Sequence, residues 1–225
     1  LIQPQVDNPR SMGKIVIYGT SIQQGGCASR TGMVPSAMIQ RDFNLECVNI
    51  ATSGQARMDF YIAEAMASIE DAICYVVDPV PNCTKDRCDT ATYDFIKILR
   101  TLRPEVPIVM VEGLMYPYTR HDSYHAEYLP QKNECFRRGF DEHVAENPKG
   151  MYYMTHEGQT GPEMEGTVDG VHLTDYGFRA YADLLEVKIK EALDDTGVEY
   201  NLTPSYNIVR PMTFWEKLRF LFSGN

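Results

Sequence analysis

The stretch Ile15-Val-Ile-Tyr-Gly-Thr-Ser21 decides the fold and also supplies the first candidate for chemistry. Its first four residues are β-branched or aromatic and show no polar alternation, which is typical of a parallel strand buried on both faces. Gly19 then permits a tight turn, and Ser21 lies three residues beyond the predicted strand. Ligands bind outside the carboxyl ends of parallel strands, so Ser21 stands where a substrate can reach it.

Short apolar runs of the same kind recur along the chain and alternate with amphipathic stretches. The predicted strands are Ile15–Tyr18, Cys47–Ile50, Ile73–Val77, Ile108–Val111 and Met151–Met154. The predicted helices lie near Met33–Arg41 and over Met58–Ile69, Ala91–Leu102, Glu127–Ala145 and Tyr176–Leu193, the last with Thr174 as its N-cap. This alternation predicts a three-layer α/β/α sandwich around a mainly five-stranded parallel sheet.

Composition limits the classes of function that the chain can perform. With 225 residues, 44% of them hydrophobic and 23% charged, the chain can bury a sizeable core. Its formal net charge of −10 repels nucleic-acid phosphates and anionic lipid surfaces, so neither partner is expected. No apolar run approaches the length of a membrane-spanning helix.

The six cysteines do not form the framework of a small disulfide-built protein. Cys83 and Cys88 lie close together in a predicted loop and are able to form a disulfide in an oxidising compartment. A single Cys-x4-Cys pair without a second pair of ligands argues against structural zinc. We therefore expect neither a metal nor a cofactor.

Asp169 and His172 lie three residues apart, just before the last predicted helix. A serine hydroxyl needs a base to take its proton, and histidine titrates near neutrality. The imidazole in turn needs an acceptor that fixes its tautomer, and Asp169 is close enough to provide it. Taken separately, Ser21 is also explained as a helix cap, and the Asp-x-x-His pair as part of a surface loop.

Two further loops follow predicted strands and carry hydrogen-bond donors. Gly54 comes after the second strand and Asn82 after the third. A glycine backbone N–H and an asparagine amide can stabilise the negative oxygen that develops during acyl transfer. Each residue is also common in ordinary turns.

In this order, the blocks Gly-Thr-Ser21, Ser-Gly54-Gln, Pro-Asn82-Cys and Asp169-Gly-Val-His172 resemble those of the SGNH hydrolases, or GDSL-type esterases. The resemblance runs from about Lys14 to Leu193 and is closest to a bacterial subgroup with a Gly-Thr-Ser nucleophile block. It implies a flavodoxin-like fold, a Ser21–His172–Asp169 triad, and an oxyanion hole made by the Ser21 N–H, the Gly54 N–H and the Asn82 side chain.

The sequence departs from the commoner family pattern at three places. Thr20 replaces an Asp, which is typical of the subgroup, while Gln55 stands where an Asn usually follows the glycine. The third block reads Val80-Pro-Asn-Cys83 in place of Gly-x-Asn-Asp. The triad therefore matches the family more closely than Gly54 and Asn82 do.

The resemblance implies an esterase that removes short acyl groups, acetyl above all, from a carbohydrate. A polar and aromatic cluster after the fourth strand suits sugar rings, which stack on tyrosines, although the same residues are also explained as a solvated loop. The cluster comprises Tyr116, Tyr118, Arg120, His121, Tyr124 and His125. A lysophospholipase or thioesterase is the alternative enzyme, and a non-catalytic carbohydrate-binding module is the alternative of a different class.

We expect residues 1–12 to form a linker or the end of a preceding domain, and residues 13–200 to form the hydrolase domain. A periplasmic or secreted bacterial location fits the subgroup, with a cytoplasmic one left open. Phe214, Trp215, Leu218, Phe220, Leu221 and Phe222 make the tail over 201–225 strongly apolar. This tail is predicted to be helical and to pack on the body, on another domain or on a second copy.

Overall fold

The computed structural model describes residues 12–202. The predicted linker over 1–12 and the predicted helical tail over 201–225 thus lie almost wholly outside the described residues. Within 12–202, none of the helices combines the length and the apolar character needed to cross a membrane.

Five parallel strands form a single sheet in the order β2-β1-β3-β4-β5. They are β1 (Lys14–Gly19), β2 (Glu46–Asn49), β3 (Ala72–Asp78), β4 (Ile108–Val111) and β5 (Met151–Met154). The five predicted strands and their parallel arrangement are confirmed, with ends that differ by one residue at most. This order is that of the flavodoxin-like folds.

Six α-helices connect and cover the strands within the described part of the chain. They are α1 (Ser21–Gln24), α2 (Pro35–Phe43), α3 (Phe60–Ala67), α4 (Lys85–Leu102), α5 (Ser123–Glu146) and α6 (Asp175–Thr196). Short 3₁₀ turns over Thr31–Met33, Val80–Asn82 and Pro117–Arg120 complete the connections. Thr174 caps α6 as predicted, since its side chain accepts a hydrogen bond from the Gly177 amide.

Alternate residues of the central strands enter two separate cores, one on each face of the sheet. In β1, Ile15 and Ile17 pack in the core that contains residues of α2 and α6. Val16 and Tyr18 pack in the core that contains residues of α3, α4 and α5. This explains why these strands are continuously apolar, and it confirms the predicted three-layer sandwich.

Several helix ends differ from the predictions, and the starts of α3 and α4 do so for local reasons that the structure shows. Met58 has a φ of +56°, so α3 begins only at Phe60 and not at Met58. Helix α4 begins at Lys85, six residues earlier than predicted, because the Thr84 side chain caps it by accepting from the Arg87 amide. Cys88 consequently lies in a helix and not in the predicted loop.

Cys83 and Cys88 are buried, unbonded thiols in this structure. A hydrogen bond between the two thiols lowers the pKa of Cys83. Cys83 is also 3.6 Å from the Ala56 carbonyl oxygen, to which its thiol donates. The pair thus fixes the segment after β3 against the segment after β2.

The strand order places a crevice between the carboxyl ends of β1 and β3. From β1 the chain crosses to β2 on one side, and from β3 it crosses to β4 on the other. In such sheets this switch point is where ligands bind. Ser21 follows β1 and Asn82 follows β3, so both predicted site residues emerge at this crevice.

Candidate active site

Ser21 is the first residue of α1, a helix of only four residues. The Thr20 side chain caps this helix by accepting from the Ile22 amide at 3.3 Å. Gly25 ends it with a φ of +93°, a conformation that favours glycine. The turn thus presents Ser21 at the carboxyl edge of the sheet.

His172 comes from the other end of the domain and meets Ser21 directly. The Ser21 Oγ and the His172 Nε2 lie 2.9 Å apart, although 151 residues separate them in sequence. The His172 Nδ1 lies 2.8 Å from the Asp169 Oδ2. The structure therefore brings together Ser21, His172 and Asp169 in the order that proton transfer requires.

Asp169 accepts three hydrogen bonds within its own loop. Besides the imidazole, its Oδ1 accepts from the backbone amides of His172 at 2.7 Å and Val171 at 2.9 Å. These bonds, that from the imidazole foremost, hold the pKa of Asp169 well below its ordinary value. An ionised Asp169 only accepts, so it keeps the proton of His172 on Nδ1 and leaves Nε2 free to receive the hydroxyl proton.

The loop that carries Asp169 and His172 is anchored on the start of α6. Thr167 and Leu173 form an antiparallel bridge, and the Thr174 amide donates to the Gly166 carbonyl at 2.9 Å. A Cβ added to Gly177 would lie 2.0 Å from that same carbonyl oxygen. Only glycine at Gly177 allows the loop to approach the helix this closely.

A second segment, residues 25–30, packs beside the imidazole. A Cβ added to Gly26 would lie 3.2 Å from the His172 Cδ2. The segment is tied to α6 because Asp175 accepts from the Ser29 amide at 2.9 Å and from its hydroxyl. Asp175, an acidic residue in the first turn of α6, thus also fixes the segment that packs beside the imidazole.

Gly54 and Asn82 lie in two loops that are linked to each other and to the Ser21 turn. The Thr52 amide donates to the Gly19 carbonyl at 2.9 Å, and the Asn82 Oδ1 accepts from the Ala56 amide at 3.3 Å. This leaves the Asn82 Nδ2 with no bond to any residue in 12–202. Gly54 is exposed and has a φ of +70°, which suits a glycine and explains its place in this turn.

The aromatic cluster after β4 reaches the loop that carries Asp169 and His172 through one member. The Tyr118 ring stacks on the buried Tyr116 with centroids 5.4 Å apart, and a Cβ added to Gly170 would lie 3.1 Å from the Tyr118 Cδ1. His125 contacts Tyr118 edge-on at 5.4 Å, and Tyr124 contacts His125. Arg120 and His121 are exposed, and the structure gives neither of them a contact with the three site residues.

Two groups of side chains within 12–202 bring metal-type ligand atoms within 4.8 Å of one another. One is Cys27 with Asp169 and His172, and the other is Glu112 with His156 and Glu157. In each group the histidine already pairs with a carboxylate oxygen at 2.8 Å, and the Glu112 bond raises the pKa of His156. A hydrogen bond therefore accounts for the close approach of the histidine and one carboxylate in each group.

Sequence reasoning gave no role to a buried polar group below Ser21. Gln23 of α1, Asp78 at the end of β3 and Tyr181 of α6 contact one another and are fully buried. The available signal was Asp78 itself, a carboxylate directly after a run of buried apolar strand residues. Its partners are not visible in the sequence because Tyr181 is 103 residues away.

With this geometry in hand, comparisons with known proteins identify relatives. The model of the GDSL-like lipase/acylhydrolase family matches residues 12–190. A GDSL-like lipase from Bacteroides ovatus ATCC 8483 superposes with a TM-score of 0.79 at 29% sequence identity, covering 88% of this chain and 56% of that one. A search of curated proteins found no match.

Two more distant structures share the fold. The salicylyl-acyltransferase SsfX3 from a tetracycline biosynthetic pathway has a TM-score of 0.69 at 17% identity, covering 85% of this chain and 58% of that one. A family two carbohydrate esterase from Clostridium thermocellum, in complex with cellohexaose, has a TM-score of 0.62 at 17% identity, with coverages of 81% and 65%. The chain thus spans less than two thirds of each of these three proteins.

We predict that a fluorophosphonate probe labels Ser21 covalently, because His172 is placed to accept its proton. Removal of the base by His172→Gln is expected to slow labelling by about 10²–10⁴-fold, the usual contribution of a general base. The measurement is the labelling rate, with the modified residue identified by mass spectrometry. Ser53→Ala, which removes a hydroxyl from the adjacent loop, is the control and should leave the rate unchanged. Labelling of another serine, or a rate insensitive to His172→Gln, would contradict the assignment.

Proposed function

The chain belongs to the GDSL-like lipase/acylhydrolase family, and from this premise we propose that it is a serine esterase that removes short acyl groups from a carbohydrate. The observation that carries the proposal is the 2.9 Å contact between the Ser21 Oγ and the His172 Nε2, backed by Asp169. We assign Ser21 as the nucleophile, His172 as the general base and acid, and Asp169 as the group that orients the imidazole.

The reaction takes place in two acyl-transfer steps. As the Ser21 Oγ attacks the ester carbonyl, its proton passes to the His172 Nε2. When the C–O bond of the ester breaks, that proton leaves with the alcohol and an acyl-enzyme remains. Water then attacks the acyl-enzyme with His172 again as the base, which releases the acid and restores Ser21.

The negative oxygen of each tetrahedral intermediate requires hydrogen-bond donors. We assign this role to the Ser21 N–H, the Gly54 N–H and the Asn82 Nδ2. The Ala56 amide supports the choice of Asn82, because it occupies the Asn82 Oδ1 and so directs the NH₂ group away from that contact. Pre-arranged donors of this kind stabilise the transition state without a reorganisation cost.

Tyr118 supports a carbohydrate as the leaving group. Its ring lies beside Gly170, which stands between Asp169 and His172 in the sequence. A partly exposed tyrosine held by stacking on Tyr116 offers a rigid face for a sugar ring and a hydroxyl for its polar edge. The distant carbohydrate esterase from Clostridium thermocellum has the same fold and holds cellohexaose.

A short acyl group fits the limited apolar surface around Ser21. Among the large exposed hydrophobic side chains in the described part of the chain, only Val168 belongs to the loops that carry the assigned residues. Each buried CH₂ of an acyl chain contributes about 0.8 kcal/mol, so a long chain needs an apolar channel to gain affinity. We therefore propose acetyl as the acyl group.

We predict that Asn82→Ala lowers kcat by about 10²–10³-fold, the usual effect of losing one oxyanion donor. The measurement is steady-state hydrolysis of p-nitrophenyl acetate, with circular dichroism to verify the fold. Asn147→Ala, at the end of α5 and away from the sheet edge, is the matched control. Unchanged turnover in Asn82→Ala would remove Asn82 from the oxyanion hole.

We predict that the protein hydrolyses p-nitrophenyl acetate with a higher kcat/KM than the octanoate, and that it releases acetate from acetylated oligosaccharides. Both activities should vanish in Ser21→Ala. A clear preference for the octanoate would instead favour a lysophospholipase or thioesterase. Full activity in Ser21→Ala would reject the mechanism, and binding of oligosaccharides without turnover would favour a carbohydrate-binding module.

We predict that Tyr118→Ala lowers kcat/KM for acetylated oligosaccharides by about three- to tenfold, on the scale of the about 0.5–1.5 kcal/mol that aromatic contacts contribute. Hydrolysis of p-nitrophenyl acetate supplies the internal reference, and we expect it to change little. Tyr124→Ala removes an exposed ring of the same cluster that does not contact Gly170, so it is the matched control. Equal losses on both substrates would show that Tyr118 supports the loop and does not bind sugar.

A further inference from the structure

Three fully buried polar side chains meet beneath the nucleophile turn. The Gln23 Nε2 donates to the Asp78 Oδ2 at 3.2 Å and to the Tyr181 hydroxyl at 2.7 Å. The Tyr181 hydroxyl donates to the same Asp78 Oδ2 at 2.7 Å. The group joins α1, the end of β3 and the second turn of α6, so it connects the helix that begins with Ser21 to the helix on which the His172 loop is anchored.

The sheet register brings Asp78 next to the nucleophile turn. Asp78 pairs with Gly19, two residues before Ser21. A Cβ added to Gly19 would lie 2.4 Å from the Gln23 Cγ, so the side chain of Gln23 crosses directly over Gly19 to reach Asp78. A change in the Asp78 contact with Gln23 is therefore transmitted within one helical turn to Ser21.

Two buried oxygens of this group have no hydrogen-bond partner among the described residues. The Asp78 Oδ2 accepts both donors, while the Asp78 Oδ1 and the Gln23 Oε1 are buried without a partner. These two oxygens belong to one acid–amide pair, and both are acceptors when Asp78 is ionised. A proton on the Asp78 Oδ1 turns one of these two acceptors into a donor.

The electrostatics of the surroundings favour the same protonation state. Burial raises the pKa of Asp78 to about 7, against the opposing effect of the bonds from Tyr181 and Gln23. The titratable groups that face Asp78 are Tyr181 from α6 and Tyr116 from the segment after β4. Both are neutral phenols whose own pKa values are raised, and neither supplies a positive charge to stabilise a carboxylate.

We propose that Asp78 acts in its neutral, protonated form as a positioning residue that holds Gln23, and through it the Ser21 turn, in place; the proposal rests on the proposed function. Helix α1 has four residues and cannot fix its own orientation. Among the described residues, one other side chain also holds Gln23. The Asn49 Nδ2 donates a hydrogen bond to the backbone carbonyl of Gln23 at 2.7 Å.

Ionisation of Asp78 loosens this arrangement. A carboxylate Oδ1 has no proton to donate, so both unpartnered oxygens of the pair are then acceptors. The pKa of Asp78 is higher in the folded protein than in the unfolded chain, so below about pH 4 the side chain is neutral in both states. As pH rises from there toward about 7, the unfolded chain ionises first and the contribution of Asp78 to the free energy of unfolding is lost. Turnover should therefore decline on the alkaline side as the folded protein loses this proton.

The decisive variant is Asp78→Asn. An asparagine carries an NH₂ group that can donate and an oxygen that accepts from Tyr181, so it copies the neutral acid and cannot ionise. We expect the ratio of kcat for Asp78→Asn to kcat for wild type to be near one at about pH 6 and to reach about tenfold at about pH 8, one unit above the pKa. The ratio cancels every other pH dependence that the two proteins share.

Two further variants separate this role from a packing role. Asp78→Leu removes every polar atom of the side chain and should lower kcat at all pH values. Tyr181→Phe keeps the ring but removes a donor that lowers the pKa of Asp78, so the alkaline decline should move to higher pH. If Asp78→Leu does not fold, the pH at which kcat declines in Tyr181→Phe still distinguishes the two roles.

Two readouts do not depend on esterase activity. The Tm of Asp78→Asn minus that of wild type should rise between about pH 4 and about pH 7 and then level off. Hydrogen exchange at the α1 amides, compared as the ratio of wild type to Asp78→Asn, should accelerate over the range in which Asp78 ionises. If wild type neither turns over esters nor labels at Ser21, the proposed function fails while these two readouts still decide the role of Asp78.

The proposal is overturned if Asp78→Asn is as impaired as Asp78→Leu at every pH, which would mean that the carboxylate is the working form. It is also overturned if the kcat ratio, or with an inactive wild type the exchange ratio, stays constant with pH. The proposal is supported if Asp78→Asn keeps its kcat at alkaline pH and if the alkaline decline of kcat in Tyr181→Phe moves to higher pH.

Discussion

The hydrogen bond between the Ser21 Oγ and the His172 Nε2 is the contact on which the proposed activity depends, and it forms only because the fold brings two distant segments together. It joins two groups that are 151 residues apart and whose local sequences contain no information about each other. The parallel order of the sheet brings them together, since β1 lies next to β3 at the switch point and α6 packs on one face of the sheet, against β3, β4 and β5. A change in strand order, or a shift of α6 along the sheet, would separate hydroxyl and imidazole by more than hydrogen-bond distance.

Helix α6 serves as the rigid reference for both sides of this contact. Its first turn fixes the base through Gly177, which allows the Gly166 carbonyl to pack against the helix. It also fixes the segment beside the imidazole through Asp175 and Ser29. Further along, Tyr181 reaches the buried group below the nucleophile. Three contacts from one helix thus set the relative positions of Ser21 and His172, which are the proposed nucleophile and base, and acyl transfer requires precise positions of this kind.

Much of the fold and of the candidate site follows from sequence because those parts rest on local rules. Apolar runs mark the strands, and the spacing of Asp169 and His172 lets an acid reach its base within one loop. What could not be predicted depends on contacts between distant segments or on single backbone angles. The positive φ of Met58 shortens α3 although the apolar spacing continues through it, and the Thr84 cap extends α4 through a stretch without apolar periodicity. The roles assigned to the three triad residues, to Gly54 and to Asn82 all remain predictions.

The two aspartates nearest to the nucleophile turn illustrate how one residue type takes opposite roles by environment. Asp169 lies at the surface and accepts three hydrogen bonds, so its charged form is the stable one. Asp78 is fully buried, has one unpartnered oxygen and faces only phenols and an amide, so its neutral form is favoured. Enzymes commonly separate acid and base roles by placing carboxyl groups in contrasting surroundings. Here the separation follows from topology: the loop before α6 is exposed because it turns at the sheet edge, whereas the end of β3 is covered by helices on both faces.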